Sequence, residues 1–354
     1  MSDTMTIQSR AREYHVYFRG LIDADIAQAC AEGAFFVIDS HVNTLYANVF
    51  SLLPAERTIV IEPTEENKSL DQCKNLLECL VEKRIRKNNA LVAIGGGITQ
   101  DITAFTASIL YRGIDWKFFP TTLLAQGDSC IGSKTSINLG RNKNLVGNFY
   151  PPSAVYLDVQ FLETLDQRDI QSGIGEMLHF YLYADSPYLE KIMVHYHELM
   201  AQRSGLLEYI QESLRIKKSV AEIDEFDTGE RNKFNYGHTF GHALEAVSHY
   251  EIRHGQAVTV GMDLANYIAA NHGLMEQTTF ERLHNLLQIN IPRYDYGAIN
   301  LDAYCTALSK DKKNMGNDLV CILAEKPGKL VKHRLPMDDR FQAVVREYFR
   351  SFLS

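Results

Sequence analysis

Short apolar runs alternate with helical segments through the first half of the chain, and this alternation restricts the fold more than any other feature. Five runs have the length and composition of buried strands: residues 34–40, 57–63, 90–96, 115–122 and 153–159. Segments with leucines at helical spacing, such as residues 68–87, lie between them. Strands that alternate with helices form a mainly parallel sheet covered on both faces. The sequence therefore predicts an α/β fold for this half.

The second half lacks this alternation. After about residue 160 most segments are helical, as in residues 206–225 and 240–249, and residues 319–324 are the main β-like exception. A chain of 354 residues is long enough for two domains. We predict an α/β domain over residues 1–158 and an all-α domain over residues 159–354, with the boundary near FYPPSAVYLD.

Charge and cysteine content exclude several classes of protein. The net charge is −8, whereas general nucleic-acid or membrane-surface binders are normally basic. The six cysteines show no CxxC spacing, which is typical of reduced cytosolic thiols. No segment has the apolar length of a signal peptide or a membrane span. We expect a cytoplasmic protein that binds neither nucleic acid nor membrane.

The segment LVAIGGGITQD, residues 91–101, leads from an apolar strand through three glycines into a helical segment. Such glycines allow a tight turn, and the free N–H groups that follow can bind a phosphate. The full GxGxxG fingerprint is absent, so a turn without a ligand is the alternative. Asp101 favours a binding site, because an acid in the first turn of a helix either caps it or holds a ligand hydroxyl.

Residues 120–149 combine glycines, hydroxyls and basic side chains, and neither a helical nor a strand period fits them. A long surface loop is one interpretation. Basic side chains and glycine amides also suit a phosphate ester. The basic residues here and further along the chain that would serve a multiply anionic substrate are Lys134, Arg141, Lys143, Lys217, Arg231, Lys312 and Lys313. Any one of them can equally be a solvated surface residue.

Four histidines lie between residues 234 and 255. His238 and His242 are four residues apart and share one helix face, as many zinc-binding pairs do. The alternative is a satisfied core histidine, but the adjacent glycines and polar residues favour a pocket wall. A third ligand is needed, and His254 and Glu176 are candidates. Spacing alone does not decide between these combinations.

Seven segments occur in the order of one enzyme family: GGGITQD, PTTLLAQGDSCIGSKTSIN, KNLVGNFYPP, SGIGEM, DEFDTGERNKFNYGHTFGHALE, RHGQAV and DKKNMG. Together they resemble 3-dehydroquinate synthase and its relatives, the sugar phosphate cyclases, over about residues 35–330. The resemblance implies an NAD-binding α/β domain and a metal-binding helical domain. It implies that zinc, or cobalt or another divalent cation, is held by Glu176, His238 and His254, while His242 faces the substrate.

The same resemblance implies cofactor and substrate positions. NAD would lie against Asp39, Glu65, Lys68, Gly97, Ile98, Thr99, Gln100, Asp101, Thr121, Thr122, Lys134, Lys143, Phe161 and Thr164. The substrate would contact Asp128, Lys134, Asn144, Lys217, Arg231, Asn235, His242 and Lys312. Arg112 would reach it from the second subunit of a homodimer.

The implied reaction is a cyclisation of a heptulosonate phosphate that releases phosphate. NAD removes a hydride from a secondary alcohol and later returns it, so it shows no net turnover, and zinc polarises the reacting oxygen. Arg231 would bind the substrate carboxylate as a planar bidentate pair. With Asn235 it favours 3-deoxy-arabino-heptulosonate 7-phosphate, the shikimate-pathway precursor of 3-dehydroquinate and of the aromatic amino acids.

Two departures from the family pattern leave the substrate open. Members with this activity usually read EVIK where this chain reads EMLH, so a substrate-facing lysine is replaced by His179. The usual VDSSVGGKT is GDSCIGSKT here. One alternative is a related cyclase acting on sedoheptulose 7-phosphate or an amino-sugar phosphate. Others are an NAD-dependent polyol phosphate dehydrogenase, which would produce net NADH, and a non-enzymatic binding protein, which the three apparent metal ligands disfavour.

Overall fold

The computed structural model describes residues 3–18, 22–140, 142–310, 314 and 318–353. Their contacts form two compact units. The first comprises Met1–Leu165, Arg203–Leu207 and Lys217–Phe226, and the second comprises Asp166–Gln202, Glu208–Ile216 and Asp227–Ser354. The predicted domain boundary between residues 158 and 159 stays a prediction. The contact units differ from it, because two later segments belong to the first unit.

Strands form the centre of the first unit. They are β1 (Thr4–Gln8), β2 (Glu13–Phe18), β3 (Phe35–Asp39), β4 (Thr58–Ile61), β5 (Leu91–Gly95), β6 (Trp116–Pro120), β7 (Ile137–Leu139), β8 (Asn142–Val146) and β9 (Ala154–Leu157). Seven form one sheet in the order β1-β2-β9-β6-β5-β3-β4, while β7 and β8 form a separate hairpin. The β1–β2 pair is antiparallel and the other pairs of the sheet are parallel. The prediction of an α/β fold with a mainly parallel sheet is confirmed.

All five predicted strands are present, as β3, β4, β5, β6 and β9. Every residue of β3 and β5 is buried, as expected for central strands of a covered parallel sheet. The helices of this unit are α1 (Ile22–Ala31), α2 (Ser40–Leu45), α3 (Ala47–Phe50), α4 (Leu70–Glu82) and α5 (Gly97–Ile109). Apolar side chains of α1, β3 and β5, including Ile26, Phe36 and Ile94, pack into one core.

Two hairpins of the first unit, β1–β2 and β7–β8, were not predicted. In β2 the buried side chains of Tyr14, Val16 and Phe18 alternate with less buried ones, so the period of two was present in the sequence. In the β7–β8 hairpin, by contrast, β8 has no buried residue. No apolar period could therefore reveal it.

The second unit is mainly helical, as predicted. Helices of the later part of the chain are α6 (Gln167–Ala184), α7 (Tyr188–Val194), α8 (Tyr196–Ala201), α9 (Leu207–Ala221), α10 (His238–Val247), α11 (His254–Asn271), α12 (Gln277–Leu287), α13 (Leu301–Ser309) and α14 (Asp339–Phe352). The term all-α needs correction, because β10 (Asp318–Lys326) pairs with β11 (Lys329–Pro336) as an antiparallel hairpin. Within the described ranges, no helix combines the length and apolar character needed to cross a membrane.

Candidate active site

The three predicted metal ligands lie on three helices of the second unit. Glu176 is in α6, and His238 and His254 are the first residues of α10 and α11. Glycines bring α6 and α11 together: a Cβ atom at Gly175 would lie 1.9 Å from the carbonyl oxygen of Gly255. Only glycine permits this backbone contact. It places Glu176 beside His254, because each ligand is the sequence neighbour of one of these glycines.

A second glycine contact brings His238 to the same point. A Cβ atom at Gly261 of α11 would lie 2.1 Å from the carbonyl oxygen of Gly237, which directly precedes α10. Gly237 also has a φ of +78°, a left-handed conformation that favours glycine. Gly241 is close-packed as well, with a Cβ position 2.9 Å from the carbonyl oxygen of Ala257. The sequence indicated only that the glycines beside the histidines belong to a pocket wall, whereas their packing fixes the ligand positions.

The ligand atoms of Glu176, His238 and His254 all lie within 4.8 Å of one another. His254 Nε2 is 3.3 Å from Glu176 Oε2, and His238 Nε2 is 3.5 Å from Oε1. Both distances exceed the usual hydrogen-bond range of about 2.7–3.2 Å. Oε2 is buried and has no hydrogen-bond partner among the described residues. Metal–ligand bonds of about 2.0–2.1 Å at tetrahedral angles place ligand atoms about 3.3–3.4 Å apart, so this set fits a divalent metal such as zinc.

The other nitrogen of each histidine has its own partner. His238 Nδ1 lies 3.2 Å from the carbonyl oxygen of Tyr236, and His254 Nδ1 lies 3.2 Å from the carboxylate of Glu245. Because both partners accept hydrogen bonds, each Nδ1 carries a proton and Nε2 is the nitrogen available to a metal. Metal-bound histidines usually have such outer partners. Neither partner was predicted, although Glu245 is only three residues after His242 in the same helix.

The electrostatics of this cluster suit a cation. Burial opposes ionisation of Glu176, yet the imidazoles of His238 and His179 outweigh it and hold the pKa of this carboxyl well below its usual range. Burial also opposes a charge on His254, but Glu176 and Glu245 raise the pKa of that imidazole well above its usual value. The cluster is thus a buried anion surrounded by imidazoles.

His242 lies beside this trio. Its exposed ring has its centroid 5.5 Å from that of His238 and 5.6 Å from that of His254. His242, Glu245 and His254 form a second trio with ligand atoms within 4.8 Å of one another, but no fully buried carboxylate belongs to it. The Glu176 trio is therefore the better candidate. Spacing favoured the pair of His238 and His242, and His238 is the member that lies next to Glu176.

Three further residues predicted to contact the substrate, in addition to His242, belong to the second unit. Arg231 and Asn235 lie in the 3₁₀ helix Glu230–Asn235 that precedes α10. Arg231 is buried, and Asn235 Nδ2 donates to the carbonyl oxygen of Asn232 at 2.9 Å. His179 lies one turn after Glu176 in α6 and is also buried. Contact of these residues with a substrate stays a prediction.

The glycine turn of the first unit lies at a topological switch point of its sheet. From β3 the chain continues to β4 on one side and then crosses to β5 on the other side of β3. Open parallel sheets bind ligands outside the carboxyl ends of their strands at such a point. Asp39 is the last residue of β3, and Thr121 directly follows β6. No side chain caps α5, which begins at Gly97, so the N–H groups of its first turn suit a phosphate.

Asp101 requires a correction. It is the fifth residue of α5, whose first turn contains no acidic residue, so the predicted capping position is wrong. Its Oδ2 instead pairs with Lys68 Nζ at 2.6 Å. Burial raises the pKa of Asp101 to about 6, against the opposing effect of Lys68. Lys68 Nζ also donates to Asn144 Oδ1 at 2.7 Å. Lys68 and Asp101, both predicted to contact NAD, are thus joined to Asn144, which is predicted to contact the substrate.

Other predicted residues of this unit are also in contact. Lys217 Nζ lies 2.7 Å from Asp128 Oδ1, which joins two predicted substrate residues. Glu65 Oε1 accepts a hydrogen bond from Asn138 Nδ2 at 2.8 Å and lies 3.8 Å from Lys143 Nζ. Asn138 was not among the predicted site residues.

The remaining predicted residues occupy varied positions. Gln100 and Ser129 exchange hydrogen bonds, and Phe161 packs in the apolar core. Exposed predicted residues are Arg112, Lys134 and Thr164. Lys312, together with Arg141 and Lys313, lies outside the described residues.

Comparison with known proteins agrees with the resemblance. The sequence model of the family's N-terminal domain, 3-dehydroquinate synthase N-terminal, matches residues 58–172. The model of its C-terminal domain, 3-dehydroquinate synthase C-terminal, matches residues 173–314. A 3-dehydroquinate synthase of Alkaliphilus metalliredigens (strain QYMF) is 34% identical over 305 residues, which cover 85% of this chain and 86% of that protein.

Solved structures share the fold over nearly the whole chain. A 2-deoxy-scyllo-inosose synthase complexed with carbaglucose-6-phosphate, NAD+ and Co2+ has a TM-score of 0.85 and 26% identity, and the match covers 99% of this chain and 100% of that one. A 2-epi-5-epi-valiolone synthase from Streptomyces hygroscopicus subsp. jinggangensis 5008, with NAD+ and Zn2+ bound, has a TM-score of 0.82 at 23% identity, with coverage of 96% and 99%.

These matches define the class as a phosphate-eliminating cyclase, an enzyme of the carbon–oxygen lyase type. Within that class, the chain belongs to the 3-dehydroquinate synthase family. The resemblance seen in the seven segments is confirmed.

Proposed function

We propose that this enzyme is an NAD- and zinc-dependent cyclase that converts 3-deoxy-arabino-heptulosonate 7-phosphate to 3-dehydroquinate and phosphate in the shikimate pathway. One observation carries the proposal: a buried carboxylate and two imidazoles lie at metal-ligand spacing in the unit that also contains the buried Arg231. The 34% identity to a 3-dehydroquinate synthase supports it. A solved relative at 26% identity contains NAD+ and Co2+.

In the second unit, Glu176, His238 and His254 would hold the metal, which supplies Lewis acidity to a substrate oxygen when bound. Arg231 would bind the substrate carboxylate, because its planar guanidinium can donate two parallel N–H hydrogen bonds to the two carboxylate oxygens. Arg231 lies in the 3₁₀ helix that precedes α10, the helix that begins with His238. His242 and Asn235 would donate hydrogen bonds to substrate oxygens.

In the first unit, NAD would bind at the switch point, with a phosphate against the first turn of α5. Bound there, NAD would supply reversible hydride transfer. Lys68 would keep Asp101 ionised as an acceptor for a ribose hydroxyl, since the two groups already form an ion pair. Lys217 and Asp128 would contact the sugar phosphate as a preformed pair. Arg112 is exposed, and we propose that it serves the partner subunit of a homodimer.

A second candidate is a cyclase for a sugar phosphate without a carboxylate, such as sedoheptulose 7-phosphate. It is supported by the structural match to 2-deoxy-scyllo-inosose synthase and by His179, which replaces a substrate-facing lysine of the family pattern. The presence of both Arg231 and Asn235 favours the carboxylated substrate over this candidate.

The test is a phosphate-release assay with both substrates, run with simultaneous measurement of NADH absorbance. We expect phosphate release from the carboxylated heptulosonate without net NADH. The Glu176→Gln variant, which keeps the side-chain size, should lose both metal and activity. Net NADH would indicate a dehydrogenase, and preference for sedoheptulose 7-phosphate would establish the second candidate instead.

A further inference from the structure

The side chain of His179 is turned into the protein against the metal-ligand cluster. It is 1% exposed. Its Nδ1 lies 2.7 Å from the backbone carbonyl oxygen of Glu176 and 3.3 Å from Oε1 of the same residue. A carbonyl oxygen only accepts hydrogen bonds, so Nδ1 is the donor in this contact. The donor of His179 is therefore committed to Glu176.

Aromatic contacts fix the orientation of the ring. His238 packs edge-to-face on it with a centroid distance of 5.3 Å, and Phe234 does so at 5.6 Å. The ring centroid of Phe180 lies 3.9 Å from that of His179. The imidazole thus packs against both Glu176 and the ring of His238. Its removal would free two of the three candidate ligands to change rotamer.

A substrate contact would require different geometry. A lysine at this position has a flexible four-carbon stem and three N–H donors. Its ammonium group can therefore contact a substrate that lies away from the backbone of its own helix. Imidazole is shorter, and here aromatic rings surround it. The replacement of lysine by histidine therefore changes what this position does as well as its charge.

We propose that His179 is a positioning residue that holds Glu176 and His238 in their metal-binding rotamers and does not contact the substrate. The inference rests on the proposed metal site. It assigns this position to support of the metal ligands instead of to recognition of the anionic groups of the substrate.

The experiment compares metal binding by metal-free parent enzyme, His179→Phe and His179→Asn. Phenylalanine keeps the ring but has no donor. Asparagine places its amide nitrogen close to the position of Nδ1 and can donate to the same carbonyl. Zn2+ affinity is measured by calorimetry, and Co2+ absorption reports the ligand geometry. We expect His179→Phe to lose about ten- to a hundredfold in affinity, as is usual for outer partners of metal ligands, and to change the Co2+ spectrum. His179→Asn should stay close to the parent, and KM should change little in either.

The matched control is His284→Phe, the same replacement of a buried histidine in the same unit. His284 bonds to Asp263 at 2.8 Å and is not part of the metal cluster, so this variant should lose stability but keep its metal affinity. If His179→Phe fails to fold, His179→Gln replaces it, because its amide lies nearer the position of Nε2 than that of Nδ1.

The outcomes separate the two proposals. Unchanged metal affinity and Co2+ spectrum in the donor-free variant, with a raised KM, would make His179 a substrate contact and overturn the inference. If the parent binds no divalent metal, or if Glu176→Gln binds as well as the parent, the proposed metal site itself fails.

Discussion

The glycine contact between α6 and α11 allows a graded test of what sets the metal-ligand distance. In Gly175→Ala, the new Cβ atom would lie 1.9 Å from the carbonyl oxygen of Gly255, whereas an ordinary contact needs at least 3.4 Å. The two helices must separate by about 1.5 Å to relieve the overlap. Glu176 and His254 directly adjoin these glycines, so their 3.3 Å separation should grow by a similar amount. Metal coordination tolerates changes of only about 0.2 Å.

We therefore expect Gly175→Ala to lower the affinity for Zn2+ by at least about a hundredfold, more than the loss of an outer partner causes. The overpacking itself should cost about 1–3 kcal/mol of the free energy of unfolding. Gly241→Ala is the milder member of the series. Its Cβ atom would lie 2.9 Å from the carbonyl oxygen of Ala257, which requires an opening of only about 0.5 Å on the side of His238.

Calorimetric Zn2+ titration and thermal unfolding measure the two effects separately. Gly273→Ala is the control: it adds the same methyl group after the end of α11, where nothing lies within 4 Å, but at a φ of +69°. Backbone strain should cost it about 1–2 kcal/mol with no change in metal affinity. If Gly175→Ala binds zinc as tightly as Gly273→Ala at similar stability, the helix contact does not set the ligand spacing and this reasoning fails.

Three further predictions concern other parts of the two units. Arg231→Met should reduce kcat/KM for the carboxylated heptulosonate by about ten- to a hundredfold, the value of a charge-assisted pair, with unchanged metal content by elemental analysis. Asp101→Asn should weaken NAD binding by about tenfold in fluorescence titration, and the parent should lose NAD affinity as the pH falls below about 6, because protonation removes the acceptor. Burial raises the pKa of Glu225, but this carboxylate also accepts hydrogen bonds from Arg10 N at 2.8 Å and Ser9 Oγ at 2.6 Å. The hydrogen bonds outweigh burial, so the pKa is lowered overall. Glu225→Gln should therefore unfold at a lower temperature near neutral pH. The difference should shrink as the pH falls from about 4.5 through the lowered pKa of the folded carboxylate, because protonation then removes the parent's charged acceptor.

The sequence predicted the elements whose pattern is local. The buried strands β3 and β5 are continuous apolar runs, so their composition alone located them. The glycine turn was found because strand, turn and helix are consecutive in the chain. The exposed hairpin strand β8 was not predicted, since a strand without a buried face has no apolar period.

The candidate site was harder to predict because its geometry depends on contacts distant in the chain. Helical spacing joined His238 to His242, but the position of Glu176 relative to them follows from glycine contacts between α6, α10 and α11. No local rule links residue 175 to residue 255. The ion pair of Asp101 with Lys68 was missed for a similar reason, since Lys68 is 33 positions earlier in the sequence.

The glycine contact also bears on how an enzyme of this kind can diverge. Residues 175 and 255 set the distance between two helices, and the adjacent residues 176 and 254 are two of the three candidate metal ligands. An insertion of one residue beside either glycine would rotate the ligand by about 100° around its helix axis, so this register tolerates no change in length. Substitutions elsewhere on these helices leave the register intact. Position 179 on α6 carries a histidine where the family pattern has a lysine, and the glycine contact between residues 175 and 255 does not involve that position. The proposed metal centre would thus be kept through successive changes of substrate.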